Sequence, residues 1–314
     1  LPFDVVSAWD ANEIIVLSVP RADVTKWVTA PSDRKIIVDM PDAFLEERRG
    51  FRRSVRGLAK WATGEVGRVV LDYHRAVERL LERADAVVCA TDEQTVEVSR
   101  HCQNVHSILD LHGEFDCLPP TLRVSEQMKI VWEGQTATLP AIRPALPALR
   151  ALAKECPVQL HLVTDLRAPR YMNRFLVRNT RDLVSGWGID IRLHQWSVPT
   201  LTEVSKQCDI AIVPVDPSDP MAVGKPENRM RIFWRLGLPV MASASPANTR
   251  AASLAGLGDR VLCVTEEDWR HTLERLYERP DDRLEIAEAG QATALTTYSE
   301  ESLVCRWDQL FETL

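Results

Sequence analysis

The chain has 314 residues, 45% of them hydrophobic and 26% charged, with a formal net charge of −7. That composition belongs to an ordinary folded protein of about two domains, and the negative balance speaks against general nucleic-acid binding. No apolar run approaches the ~20 residues of a membrane helix, and Leu1 opens neither a signal peptide nor a methionine start, which marks a fragment or processed form. Seven scattered cysteines, with no CxxC pair and no metal-type spacing, fit free thiols in a reducing cytoplasm and no bound metal.

In chain order, Asp4–Ala8, Glu13–Val19 and Lys35–Asp39 read as short parallel strands. The third runs into VDMPDAF, which places Asp39 and Asp42 just past a strand's carboxyl end, where site residues gather in open α/β sheets. Helix capping is the plainer role for both aspartates. The span Arg48–Lys60 carries five arginines and a lysine, a surface for anionic headgroups or an anionic acceptor, or a solvated face paired with Glu46 and Glu47. Val66–Ala84 has the apolar spacing of a long packing helix. Ala86–Cys89, the helix Glu93–His101 and the strand Val105–Leu109 follow, and the Gly- and Pro-bearing stretch from Asp110 to Gln127 is the candidate linker.

A second series begins at the strand Lys129–Trp132 and its turn Glu133-Gly134-Gln135-Thr136. Helices are expected from Ile142 to Glu155 and near Tyr171–Ser185, with strands at Val158–Thr164, Ile189–His194 and Arg260–Val264. The text CDIAIVPVDPSDPMAVGKPENRMRIFWRLGLPVMASAS (208–245) reads as strand, polar loop, helix, turn and strand. Alternation on this scale predicts an α/β protein with parallel sheets and helices on both faces. The strand ends of the second half collect Gly134, Asp165, Trp196, Asp216, Lys225 and Arg229, and a lysine and arginine beside a helix start suit a phosphate or diphosphate. Each alone reads equally well as a solvated surface charge.

The pattern of Asp209, Lys225, Asn228, Arg229, Gly237, Pro239 and Val240 resembles the donor half of GT-B glycosyltransferases of the bacterial surface-polysaccharide type, with a family 4-like donor domain. The likeness covers roughly residues 105–314; VDMPDAF resembles an element of some acceptor domains. The resemblance implies two Rossmann-like domains: an acceptor-side domain over 1–120, reduced or trimmed at its start, and a nucleotide-sugar domain over 121–298, with a C-terminal helix over 299–314 packing back on the first domain. It implies that Lys225 and Arg229 hold the diphosphate, with Glu227 and Asn228 beside them, that Gly134 approaches the sugar phosphate, and that Asp165, Trp196 and Ser197 surround the base. Asp39 and Asp42 are the candidate catalytic groups, with His112 and Glu114 behind them. The glutamate pair of many retaining members is replaced by Gly224 and Ile232. The expected activity is metal-independent transfer of a sugar from a nucleotide-sugar donor to a glycan or lipid-linked acceptor, in the cytoplasm or at the inner membrane face. A silent binding or regulatory module and a sugar-nucleotide epimerase are the alternatives.

Overall fold

The computed structural model describes residues 14–19, 22–29, 34–43, 45, 61, 67–69, 72–170 and 176–314. The strand expected at Asp4–Ala8 and the cationic run Arg48–Lys60 lie outside these residues. The chain divides into two compact units. One comprises Leu1–Asp110, Gly224–Pro226 and Val304–Leu314; the other comprises Leu111–Val223 and Glu227–Leu303.

In the first unit, β1 (Ile14–Ser18), α1 (Val24–Trp27), β2 (Lys35–Met40), α2 (Tyr73–Arg83), β3 (Ala86–Cys89), α3 (Asp92–Val98) and β4 (Val105–Ser107) alternate along the chain. The four strands form one parallel sheet in the order β1-β2-β3-β4. Parallel neighbours need a crossover, and α1, α2 and α3 stand in those connections. The centre of the sheet is unbroken aliphatic sequence because both faces are covered. Ile36, Val38, Met40 and Cys89 pack with Val77, Leu80 and Leu81 of α2 on one face. Ile37, Ala86 and Val88 pack with Ile108 and Leu310 on the other, the last from the C-terminal helix Glu300–Phe311. Strand β1, at the edge of the described sheet, alternates instead and leaves Ile14 and Val16 exposed. Of the helix expected over Val66–Ala84, the described part starts at Tyr73, where the Asp72 carboxylate accepts the His74 N–H at 3.1 Å and so caps the first turn.

The second unit holds β5 (Met128–Glu133), α4 (Leu146–Leu152), β6 (Val158–Thr164), β7 (Arg167–Arg170), β8 (Leu176–Asn179), α5 (Thr180–Val184) and β9 (Asp190–Gln195). It continues through α6 (Val198–Ser205), β10 (Ile210–Val213), α7 (Pro220–Val223), α8 (Asn228–Arg235), β11 (Val240–Ser243), α9 (Pro246–Leu254), β12 (Leu262–Cys263), α10 (Glu266–Glu278) and α11 (Pro280–Thr296). Two expected helices are corrected. Thr136–Ile142 is a 3₁₀ turn containing Pro140, so α4 is short and starts at Leu146. The segment read as a helix near Tyr171–Ser185 holds strand β8, paired antiparallel with β7, before α5. The Asn179 side chain accepts the Arg181 N–H at 3.2 Å, which fixes the start of α5 at Thr180.

Six strands form the second sheet in the order β12-β11-β10-β5-β6-β9, all parallel. From β5 the chain moves outward through β6 and β9, then crosses back to lay β10, β11 and β12 on the other flank. The order therefore reverses between β5 and β10. At such a switch point the connections after two adjacent strands diverge and leave a crevice beyond their carboxyl ends. The turn after β5 and the loop leading to α8 occupy that place. Helix α8 is anchored by fully buried Met230, Phe233 and Trp234. Gly290 lets α11 lie against it, since a Cβ there would stand 2.4 Å from the Trp234 indole.

Candidate functional site

The carboxyl end of β5 supplies Trp132, Glu133 and Gly134 in succession. Trp132 has no exposed surface, and the Gly134 N–H extends the ladder by donating to the Val163 carbonyl at 3.2 Å. A Cβ on Gly134 would lie 2.7 Å from the Trp132 ring and 2.9 Å from an Arg229 Nη. Only glycine leaves room for the guanidinium of Arg229, in the first turn of α8, to rest on this turn. The guanidinium carbon stands 5.6 Å from the Trp132 ring centroid. Arg229 Nε is 3.5 Å from Glu133 Oε2, and Nη2 reaches Thr138 Oγ1 at 3.5 Å. The other Glu133 oxygen accepts the Trp196 indole N–H at 2.9 Å, while Trp196 as a residue is 42% exposed. Residues after β5, after β9 and at the start of α8 thus meet through one carboxylate. Burial pushes the Glu133 carboxyl above the usual carboxylate range, and the Arg229 charge and the Trp196 bond pull it part of the way back.

The other sequence-predicted residues of this unit have distinct places. The Asp165 carbonyl accepts the hydroxyls of Thr136 at 2.8 Å and Thr180 at 2.5 Å, which ties the 3₁₀ turn and α5 to the end of β6. Ser197 caps α6, its hydroxyl accepting the Thr200 N–H at 3.1 Å. Glu227 is not presented to solvent. Its carboxylate is fully buried, accepting the Tyr298 hydroxyl at 2.9 Å and facing an Arg250 Nη at 3.3 Å, so it anchors the chain just before α8. Asn228 Oδ1 accepts from Arg231 at 3.3 Å. Glu227, at the position before α8, makes no capping hydrogen bond to it. His112 Nδ1 lies 3.7 Å from Glu114, and both belong to this second unit.

In the first unit, Asp39 lies near the end of β2, opposite Ser18 of β1. Burial, then the like charge of Asp110, push its carboxyl up to about 6 against a hydrogen bond with Ser18. Asp42 lies 3.5 Å from the ammonium of Lys225, whose segment Gly224–Pro226 groups with this unit. Asp39 and Asp42 are therefore held by different partners, and Lys225 is matched to a carboxylate.

Glu133 and Asp110 were not singled out as site residues from sequence. The signal for Glu133 was its position: the first charged residue after an apolar strand, directly before an obligatory glycine. Its partners Trp196 and Arg229 are 63 and 96 positions away, so no local pattern links the three.

No protein-family model matches the chain, and no curated protein matches it in sequence. Solved structures do match in fold. TarM superposes over 95% of this chain and 54% of its own length, at 9% identity and a TM-score of 0.63. HepE of Anabaena, in complex with UDP and glucose, matches 95% of this chain and 77% of its own at 14% identity, TM-score 0.60. WaaG, a glycosyltransferase involved in lipopolysaccharide biosynthesis, matches 88% and 77% at 13% identity, TM-score 0.56. The chain spans about half the length of TarM. These neighbours are GT-B glycosyltransferases, and the likeness shows the fold of this chain to be theirs: α/β, with two Rossmann-like parallel sheets.

Proposed function

We propose that the chain is a glycosyltransferase that moves a sugar from a nucleotide-sugar donor to a glycan or lipid-linked acceptor without a bound metal. The observation that carries this reading is Arg229: a half-buried cation in the first turn of a helix that its preceding residue does not cap, at the switch point of a parallel sheet, seated on Gly134. A diphosphate at that place receives the guanidinium and the positive end of the helix. That positive charge stabilises the leaving group as the bond from the sugar's anomeric carbon to the phosphate oxygen breaks. The exposed Trp196 ring, pinned through its N–H to Glu133, offers a flat face to a base, with Asp165 and Ser197 on the neighbouring turns. The acceptor oxygen bonds to the anomeric carbon and its proton passes to a base. Asp39, whose carboxyl is pushed up to about 6, suits that role; Asp42, three residues further on, is paired with Lys225. The UDP and glucose in the HepE complex and the involvement of WaaG in lipopolysaccharide biosynthesis support the donor and acceptor classes. Action at the inner membrane face through Arg48–Lys60 belongs to the same proposal.

Thermal-shift and calorimetric screening of UDP, GDP, CMP and their sugar conjugates tests the donor site. Selective stabilisation by one of them, lost in Arg229→Ala, is the expected result. No response in folded protein would overturn the reading. It would favour a silent GT-B-like module, the second reading, which rests on Gly224 and Ile232 standing where many retaining enzymes carry glutamates. Incubation with donor alone, followed by product analysis, separates transfer from epimerisation.

A further inference from the structure

We infer that Glu133 answers the donor's negative charge: when a diphosphate takes Arg229, Glu133 gives up that cation and takes a proton, so that donor binding is coupled to uptake of one proton. The inference rests on the donor reading above and deepens it. The two Glu133 oxygens have separate partners, Oε2 facing Arg229 and Oε1 accepting from Trp196. The Arg229 guanidinium has little freedom to follow an incoming anion elsewhere. The Trp132 ring lies under it, Gly134 lies against it, and Thr138 accepts from it. A diphosphate that engages Arg229 therefore approaches a carboxylate whose side chain is only 15% exposed. Two anions sharing one partly desolvated cation destabilise each other, and protonation of the carboxyl is the direct relief. The neutral acid keeps its bond from Trp196 and gains an O–H to donate to a phosphate oxygen.

Among the described residues, the charged group facing Glu133 is Arg229 of α8, and the neutral donor is Trp196 after β9. Burial already favours the neutral acid, and the Arg229 charge is the first influence opposing it. Engagement of that charge by another anion leaves the proton as the remaining compensation. The donor itself supplies no proton: a nucleotide-sugar diphosphate is a diester with no phosphate group titrating near neutrality.

The test is calorimetry with UDP-glucose, UDP-N-acetylglucosamine and GDP-mannose at about pH 7, in buffers of different ionisation heat, which counts protons taken up per donor bound. Wild-type protein should take up close to one proton and bind up to about tenfold more tightly per unit fall in pH. Glu133→Gln, which keeps an acceptor for Trp196, should still bind while showing neither effect. Trp196→Phe, which removes a bond favouring the charged carboxylate, should show smaller uptake than wild type. Donor binding without proton uptake by the wild type, or equal uptake by Glu133→Gln, overturns the inference and leaves the donor reading intact. Failure of folded wild type to bind any of the three overturns both. The wild-type measurement decides even where a variant fails to fold.

Discussion

Two strand ends in this molecule occupy equivalent positions and are equipped in opposite ways. At the end of β5, the Glu133 carboxylate has a guanidinium 3.5 Å away, a donated indole N–H, and a glycine that makes room for the cation. Near the end of β2, the Asp39 carboxylate has a serine and a second carboxylate, Asp110, and among the described residues the influences on its titration include no cation. Both places are partly buried at the carboxyl end of a parallel strand. In the proposed reading, the first turn receives negative charge from outside, and the second holds a carboxyl that favours its proton. Fold position alone decides neither property, and the few side chains at the turn decide both.

The largest effect expected from breaking this comparison is at Asp39. Asp39→Asn keeps size and hydrogen bonding but cannot accept a proton. Transfer should fall by roughly 10²–10⁴-fold, the usual worth of a general base, with donor affinity unchanged within about twofold in the same calorimetric assay that defines the donor site. Wild-type activity in the variant would remove Asp39 from the chemistry.

The same substitution should act on stability with a definite sign. The carboxyl titrates at 3.8 when unperturbed and about 6 in the folded chain. A raised carboxylate gives folding a contribution that is complete below about pH 3.8 and is lost as pH rises through about 6. The loss is on the order of 2–3 kcal/mol. Asp39→Asn should therefore be more stable than wild type above about pH 7, with the difference shrinking to nothing below about pH 4. Urea midpoints across that range give the answer, and a difference independent of pH would show that Asp39 is ionised without penalty.

Arg229→Ala sharpens the other side. Loss of a charge-assisted contact costs about 1.5–3 kcal/mol, so nucleotide-sugar affinity should fall by roughly 10–100-fold. The variant should also leave Glu133 buried without its cation, and modest destabilisation relieved by acid is the accompanying signature. Unchanged affinity would place the donor elsewhere.

The sequence showed some of this and concealed the rest for physical reasons. The β10–α8–β11 stretch was legible because an aliphatic run, a proline-bearing loop, a helix and a Gly-x-Pro turn are each set by local chemistry. Arg229 and Gly134 were nominated by position, as residues at strand and helix ends. Their mutual contact was not visible, since it depends on β5 and β10 being neighbours in a sheet whose order reverses between them. Glu227 shows the opposite limit. It sits in the right stretch, yet Tyr298 and Arg250, distant in sequence, bury its carboxylate. The β7–β8 pair was missed because its polar sequence lacks the apolar alternation of a core strand. The Asp39–Asp110 repulsion was hidden by 71 positions of separation.

The smallest expected effect concerns scaffold rather than charge, and so tests whether the donor-side turn depends on its frame. Gly237 ends α8 with φ of 70°, a conformation that disfavours any residue with a Cβ. A Cβ there would also stand 2.6 Å from the Leu118 carbonyl oxygen and 2.9 Å from that of Pro119. This approach is enforced from both directions: the Leu118 N–H donates to the Arg235 carbonyl at 2.9 Å, and Gln291 Nε2 donates to the Leu118 carbonyl at 2.6 Å. Gly237→Ala must either push the Leu118–Pro119 segment away or unwind the last turn of α8. A cost of about 1–3 kcal/mol follows from the backbone strain, read as a lower urea midpoint. Arg229 lies two turns away, at the opposite end of the helix, and its partners Trp132, Glu133 and Thr138 all come from the β5 side. Donor affinity in the folded variant should thus stay within about threefold of wild type. A larger loss would mean that the length of α8, and not only its first turn, sets where the guanidinium lies.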